Sequence, residues 1–192
     1  MGIVTVIVLG VLLVVVIYAI MIYNNLVQIK HNVSKAWANI DVLLKQRHDE
    51  LPKLVETCKQ YMKFEQETLA RVMEQRSRVF AAREAQNIPQ LGQAEGALRA
   101  TLGSLFALAE AYPDLKTNQT FQQLQTRISS LENAIADRRE FYNESVNINN
   151  IRIEQFPDSI VAGMFRFGPA QLLEFAAAEK ADVDVGKLFK AS

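Results

Sequence analysis

The sequence predicts an all-α protein: a single N-terminal transmembrane helix, a long-helix antiparallel bundle of the four-helix type, and an irregular C-terminal segment. Three observations carry this prediction. Residues 1–29 contain no Asp, Glu, Lys, Arg or His, and Ile3 to Tyr23 form an almost unbroken apolar run. Apolar side chains then recur at spacings of three and four from Val33 to Val146, the period of one helix face. Only 8 Gly and 5 Pro occur in 192 residues, and beyond the anchor Gln, Ala, Glu, Leu and Arg dominate, a composition that favours helix. The expected organisation is an anchor and juxtamembrane stretch over 1–29, a bundle over 30–155, and an aromatic segment with a loose tail over 156–192.

As a helix, the run from Ile3 to Tyr23 spans roughly 30 Å, the thickness of a bilayer's hydrocarbon core. Its Val, Ile and Leu residues favour insertion by about 5 kcal/mol in sum. Tyr18 and Tyr23 fall near the far end, where amphipathic rings suit the headgroup region. A cleavable signal peptide carries a basic start and a small-residue cleavage site. This sequence starts Met1-Gly2-Ile3 and reads Ile20-Met21-Ile22 where cleavage would fall, so the segment is expected to be a retained single-pass anchor. Lys30, Lys35, Lys45 and Arg47 follow the span with no basic side chain before it. The positive-inside rule then puts the bundle in the cytoplasm.

Beyond the anchor, Val33, Trp37, Ile40 and Leu44 make one helix face, with Lys35, Asn39, Asp41 and Lys45 turned away. Pro52 is the first interruption, and Asp49 could cap a new helix there. A reversal at 48–51 is the preferred reading. A helix kinked but continuous through Pro52 is the alternative, because the three-four rhythm keeps phase into Leu54, Val55, Cys58, Met62, Leu69, Val72 and Val79.

Asn87-Ile88-Pro89-Gln90 reads as a helix start, with an N-cap residue, a first-turn proline and Gln at the third helical position. Leu91, Ala94, Leu98, Leu102, Leu105 and Ala109 continue it, interspersed with Gly92, Gly96 and Gly103. Those glycines each cost about 1 kcal/mol of helix propensity and favour close approach of a neighbouring helix. Tyr112-Pro113 ends this helix, since a residue before proline is pushed out of the α region. A long helix follows from about Asn118 through Phe121, Leu124, Ile128, Leu131, Ile135, Tyr142 and Val146, closed by Pro157. Arg138 and Arg139 interrupt its stripe, and Glu110 or Glu132 are the partners at hand. Trp37, Leu54, Leu98, Leu124, Leu131 and Ile135 are expected in the core.

Several stretches together resemble the LemA family: Tyr23-Asn24-Asn25-Leu26-Val27, Ala36 to Arg47, Leu51 to Thr57, Ala107 to Lys116, Glu132 to Ala136 and Arg138 to Asn143. The resemblance continues through Asn149, Phe156-Pro157 and Phe165-Arg166-Phe167-Gly168. It covers nearly the whole chain in order. It implies a bacterial protein with one N-terminal anchor and a long-helix bundle, and it implies no reaction, because the family has no agreed biochemical activity. Cys58 and the extra glycines of the third helix depart from the pattern. Some similar proteins carry a lipoprotein signal, which makes the periplasm the alternative side for the bundle.

The residues carry no recognisable catalytic set. His31 and His48 are the only histidines and sit among Lys30, Arg47 and Asp49, the pattern of a solvated helix surface. Glu-x-x-His pairs for a bundle-core metal site are missing, as are a phosphate loop and a nucleophile elbow. Cys58 falls on the apolar stripe, where a small buried hydrophobe is the expected role. We therefore expect no enzyme, no metal and no cofactor. Lys plus Arg and Asp plus Glu are both 21, which argues against nucleic acid as partner.

What remains are surfaces. The corner Tyr112-Pro113-Asp114 has a structural reading, in which Asp114 caps the next helix and Tyr112 plugs the bundle end. Its functional reading is a docking corner with Arg138, Tyr142 and Asn143. The aromatic segment Phe156, Pro157, Phe165, Phe167 and Phe175 either folds back on its own bundle or meets a neighbouring copy, which the shared anchor plane favours. The expected function is a scaffold in the bacterial inner membrane that self-associates or docks an envelope protein. The alternative is a membrane-organising protein whose C-terminal segment or helix face touches lipid.

Overall fold

The computed structural model describes residues 2–174, and those residues are all-α, with no strand among them. The elements are α1 (Ile3–Tyr61), α2 (Gln66–Glu84), α3 (Ile88–Ala109), α4 (Pro113–Lys116), α5 (Gln119–Glu154) and α6 (Asp158–Met164). α1 is the one helix among them long and apolar enough to cross a membrane. Its large apolar residues from Ile3 to Ile20 are exposed all round, as lipid-facing residues are.

The expected reversal at 48–51 does not occur. α1 runs through Pro52, and the chain turns ten residues later, between Met62 and Glu65. The apolar phase explains why. Leu44, Leu51, Leu54, Val55, Cys58 and Met62 are all buried on one continuous face, and a break at 48–51 would have split it. The later boundaries fall where the local chemistry puts them. Gln86 takes φ 51° at the end of α2, with Gln86 N–H bonded to the Arg83 carbonyl and Asn87 N–H to that of Ala82, a Schellman ending. Asn87 then starts α3, its Oδ1 accepting from Gln90 N–H at 3.1 Å.

The described chain divides into two compact units. The first comprises Met1–Leu43 and Ile135–Leu172. Within it α5 runs antiparallel to α1: Trp37 meets Tyr142 edge-on at 5.7 Å, while Arg152 reaches Asn25 at 3.2 Å. Trp37 is half-buried rather than a core residue, and Ala36 takes the centre of the face. A ring this size is seldom fully enclosed, and here it lies along the edge of the helix pair.

The second unit comprises Leu44–Ala134 with the described residues Leu173 and Glu174. It is a four-helix antiparallel arrangement of the end of α1, α2, α3 and the start of α5. α2 packs on α3. Arg127 pairs with Glu50 at 3.0 Å, and Asn118 donates to Tyr61 at 3.0 Å, which fixes α5 antiparallel to α1 within this unit as well. Leu54, Leu98, Leu124 and Leu131 are buried here, and Ile135 is buried in the first unit, all as predicted. Close approach at Gly92 is made by non-helical chain rather than by the expected helix: a Cβ there would lie 1.9 Å from the Glu174 carbonyl oxygen, while one at Gly103 would meet nothing within 4 Å.

Candidate interaction surface

In the first unit the C-terminal segment folds back on its own chain. Val161 and Ala162 of α6 form a buried cluster with Ile22 and Leu26 of α1, and Ile153 and Phe167 pack against it. Phe167 gets there through the ending of α6. Arg166 takes φ 56°, Arg166 N–H bonds the Gly163 carbonyl and Phe167 N–H bonds that of Ala162, so the chain turns back onto the helix it has left. Tyr23 meets the rings of Phe165 at 4.7 Å and Phe167 at 5.8 Å.

Three side chains of α5 then clamp the stretch of chain that follows α6. Asn149 Nδ2 donates to the Gly168 carbonyl at 3.3 Å. Asn150 bonds Ala170 twice, donating to its carbonyl at 3.0 Å and accepting its N–H at 2.9 Å. The Tyr142 hydroxyl donates to the Gln171 carbonyl at 2.9 Å. Arg152 pairs with the buried Asp158 at 2.8 Å. The segment thus packs on its own chain, the intramolecular course that the sequence left open. What it leaves outside is one apolar edge: Phe156, Ile160, Met164 and Phe165 are exposed, Phe156 to 83% and Met164 to 71%.

A second apolar surface lies on α5. Phe141, Ile148 and Ile151 are exposed large hydrophobics, spaced seven and three residues apart, so they share one side of the helix opposite its buried Tyr142, Val146 and Asn149.

In the second unit the centre is ionic. Arg47 lies on the buried face of α1 between Leu44 and Leu51, with 1% of its side chain exposed, and pairs with Glu95 of α3 and Glu132 of α5. Sequence reasoning missed this group and read Arg47 as a flanking base. The signal was available: Arg47 and Glu95 both occupy stripe positions, Glu95 falling four after Leu91 and three before Leu98. One guanidinium faces two carboxylates. Burial pushes the Glu95 carboxyl above its ordinary range; Arg47 opposes the shift and Glu132 adds to it.

His48 is not the solvated residue the sequence implied. Its ring stacks tilted on Phe80 at 4.7 Å and its Nε2 lies 2.6 Å from an Arg76 guanidinium nitrogen. Burial, then the Arg76 charge, hold the imidazole below its ordinary value. His31 is exposed. Cys58 is buried, its thiol pushed up to about 12 by burial. Among the described residues no three His, Cys, Asp or Glu side chains gather as a metal-holding group.

The proposed docking residues divide between the units. Tyr112, Pro113 and Asp114 belong to the second, Arg138, Tyr142 and Asn143 to the first. The Tyr112 hydroxyl donates to Glu65 at 3.2 Å; Pro113 opens α4. Asp114 is exposed in that short helix, and the cap of α5 is Asn118, whose Oδ1 accepts from Phe121 N–H at 2.9 Å. Tyr142 is interior, Arg138 is exposed, and Asn143 and Arg139 are half-buried. Of the two carboxylates expected to partner the Arg138–Arg139 pair, Glu132 pairs with Arg47 and Glu110 with Lys116, all within the second unit. Pro157 is half-buried. Phe175 and the tail expected beyond Ala176 lie outside the described residues.

A model described as the LemA family matches residues 36–186. Protein LemA of Metamycoplasma hominis is 27% identical over 166 residues, covering 86% of this chain and 74% of that protein. Two magnetosome MamQ proteins of Paramagnetospirillum magneticum are each 30% identical over 97 residues, half of this chain. In those two relatives the match spans 36% of their own length.

Proposed function

This chain belongs to the LemA family, and from that premise we propose that it is a membrane-anchored, non-catalytic scaffold that self-associates through α5. The anchor is the part of α1 from Ile3 to Tyr23. The observation that carries the reading is the exposed stripe Phe141, Ile148 and Ile151 on the outer side of α5. A monomer seldom leaves aligned large hydrophobics in water, and an anchor confines all copies to one plane, which raises their effective concentration. A second copy of α5 is the occupant of matching chemistry, and an envelope protein with an apolar helix is the alternative partner. The groups best suited to chemistry support a non-catalytic role, since Arg47, Glu95 and His48 are engaged in holding helices together and the Cys58 thiol is held protonated.

The body belongs on the cytoplasmic side of the bacterial inner membrane by the bias of Lys30 and Lys35; the periplasmic side is the alternative, and protease added to spheroplasts separates the two. The self-association test is an Ile148→Cys variant in a Cys58→Ala background, treated in native membranes with a short thiol-to-thiol crosslinker. A covalent dimer is expected. A chain that stays single while the same thiol takes up a monofunctional reagent contradicts the reading. A membrane-organising role is the second reading, favoured by the apolar edge of α6.

A further inference from the structure

We propose that α6 is an interfacial element, its edge of Phe156, Ile160, Met164 and Phe165 seated in the headgroup boundary of the bilayer that α1 crosses. The inference rests on the reading of α1 as a membrane span and deepens the second of the two functional readings.

Depth is the first argument. A helix rising about 1.5 Å per residue carries the chain from Ile3 to Tyr23 across roughly 30 Å, so Tyr23 stands where hydrocarbon gives way to headgroups. Phe165 packs against Tyr23 with the rings tilted and their centroids 4.7 Å apart. α6 itself is held on Ile22 and Leu26 through Val161 and Ala162. The short helix is therefore fixed at the level of the membrane surface, within the same compact unit as the anchor.

Orientation is the second. Val161 and Ala162 are spent on the contact with α1, and Ile160 and Met164, one turn apart, are left on the exposed side with Phe156 and Phe165 flanking them. An amphipathic helix that presents apolar residues away from its own protein at this depth meets acyl chains and glycerol, the environment in which such faces are stable. Aromatic rings such as Phe165 beside Tyr23 belong to the same boundary.

Rigidity is the third. The segment is tied down by the Arg152–Asp158 pair at 2.8 Å and by the Asn149 and Asn150 bonds to Gly168 and Ala170. Its apolar edge is thus presented in one orientation. A lipid surface fits better than a protein occupant, because Phe165 of this edge touches Tyr23, at the end of the exposed apolar run of the anchor.

The test uses the full chain in phosphatidylcholine vesicles whose acyl chains carry bromine either near the headgroup or near the chain end. Met164→Trp and Leu12→Trp are made separately in a Trp37→Phe background; both positions are exposed, so neither change should disturb packing. For Met164→Trp we expect loss of most emission with shallow bromines and a smaller loss with deep ones, and for Leu12→Trp the reverse order. Met164→Trp unquenched by either lipid while Leu12→Trp responds to deep bromines would overturn the proposal and leave the span standing. Both variants unquenched would overturn the span reading and this proposal with it.

Discussion

Arg76 Nε donates to the main-chain oxygen of His48 at 2.9 Å, and that oxygen is the one Pro52 leaves without its helical partner. In an unbroken helix the N–H of residue 52 would bond the carbonyl of residue 48, and a proline both lacks the N–H and crowds the carbonyl. The side chain from α2 supplies the missing donor. The same guanidinium lies against His48 Nε2, so a single Arg covers both the backbone and the ring of one residue. Together with the unbroken apolar face, this contact lets α1 continue past a residue that costs an ordinary helix about 3 kcal/mol.

Arg76→Leu should destabilise the fold by about 1–3 kcal/mol, the cost of losing a charge-assisted hydrogen bond to a half-buried carbonyl. Pro52→Ala restores the N–H, so the same substitution made in Pro52→Ala should cost less. Denaturant titration of the four proteins measures the difference. Additive effects would mean that the two residues do not share the His48 carbonyl.

His48 also sets a pH dependence. Its folded pKa is depressed, so the stability it contributes is present above the unfolded value and is lost as pH falls through the folded one. A His48→Gln variant should flatten the loss of stability on acidification from about pH 6.5 downward, read as thermal midpoint against pH.

Arg47→Met should be the most damaging single change in the second unit. It leaves Glu95 buried opposite Glu132 with no cation, and breaking a buried pair in this way costs about 3–5 kcal/mol. The sign with pH is opposite to that of His48. A carboxyl whose folded pKa is raised binds more protons folded than unfolded, so stability should rise as pH falls toward the ordinary carboxylate range. Glu95→Gln in the Arg47→Met background should recover much of the loss at neutral pH. If it recovers nothing, the buried charge is not the origin of the damage.

Gly92→Ala tests the approach of the chain to α3. Alanine is the better helix former by about 1 kcal/mol, so a free helix surface would gain. Here the new methyl would meet the Glu174 carbonyl 1.9 Å away, and overpacking against backbone should cost about 1–3 kcal/mol. Hydrogen exchange at the buried Leu173 should speed up with it. A stabilised variant would show that residues 173–174 do not lie over Gly92 in solution.

Much of this was legible in the sequence, for reasons particular to the residues. The span needed only composition and length. The start of α3 needed only Asn87 and Pro89, because capping is local chemistry. Pro52 misled because its local effect, a helix break, was outweighed by burial of Leu44, Leu51, Leu54 and Cys58 on one face and by Arg76, twenty-four positions further on. Arg47 and Glu95 were missed because a charged residue on a stripe reads as surface until its partner is known, and the partners lie 48 and 85 residues from Arg47. The C-terminal segment was left open because aromatic content gives the amount of apolar surface and not its address. Asn149, Asn150 and Tyr142 supply that address through hydrogen bonds to backbone, which no periodicity encodes.

The mass of the particle extracted intact from native membranes bears most directly on self-association. A chain of 21.6 kDa that associates through α5 should leave the membrane as one discrete multiple of that mass. Phe141→Glu with Ile148→Glu should reduce it to the single chain with helix content unchanged. A wild-type protein that extracts as a single chain would contradict the account.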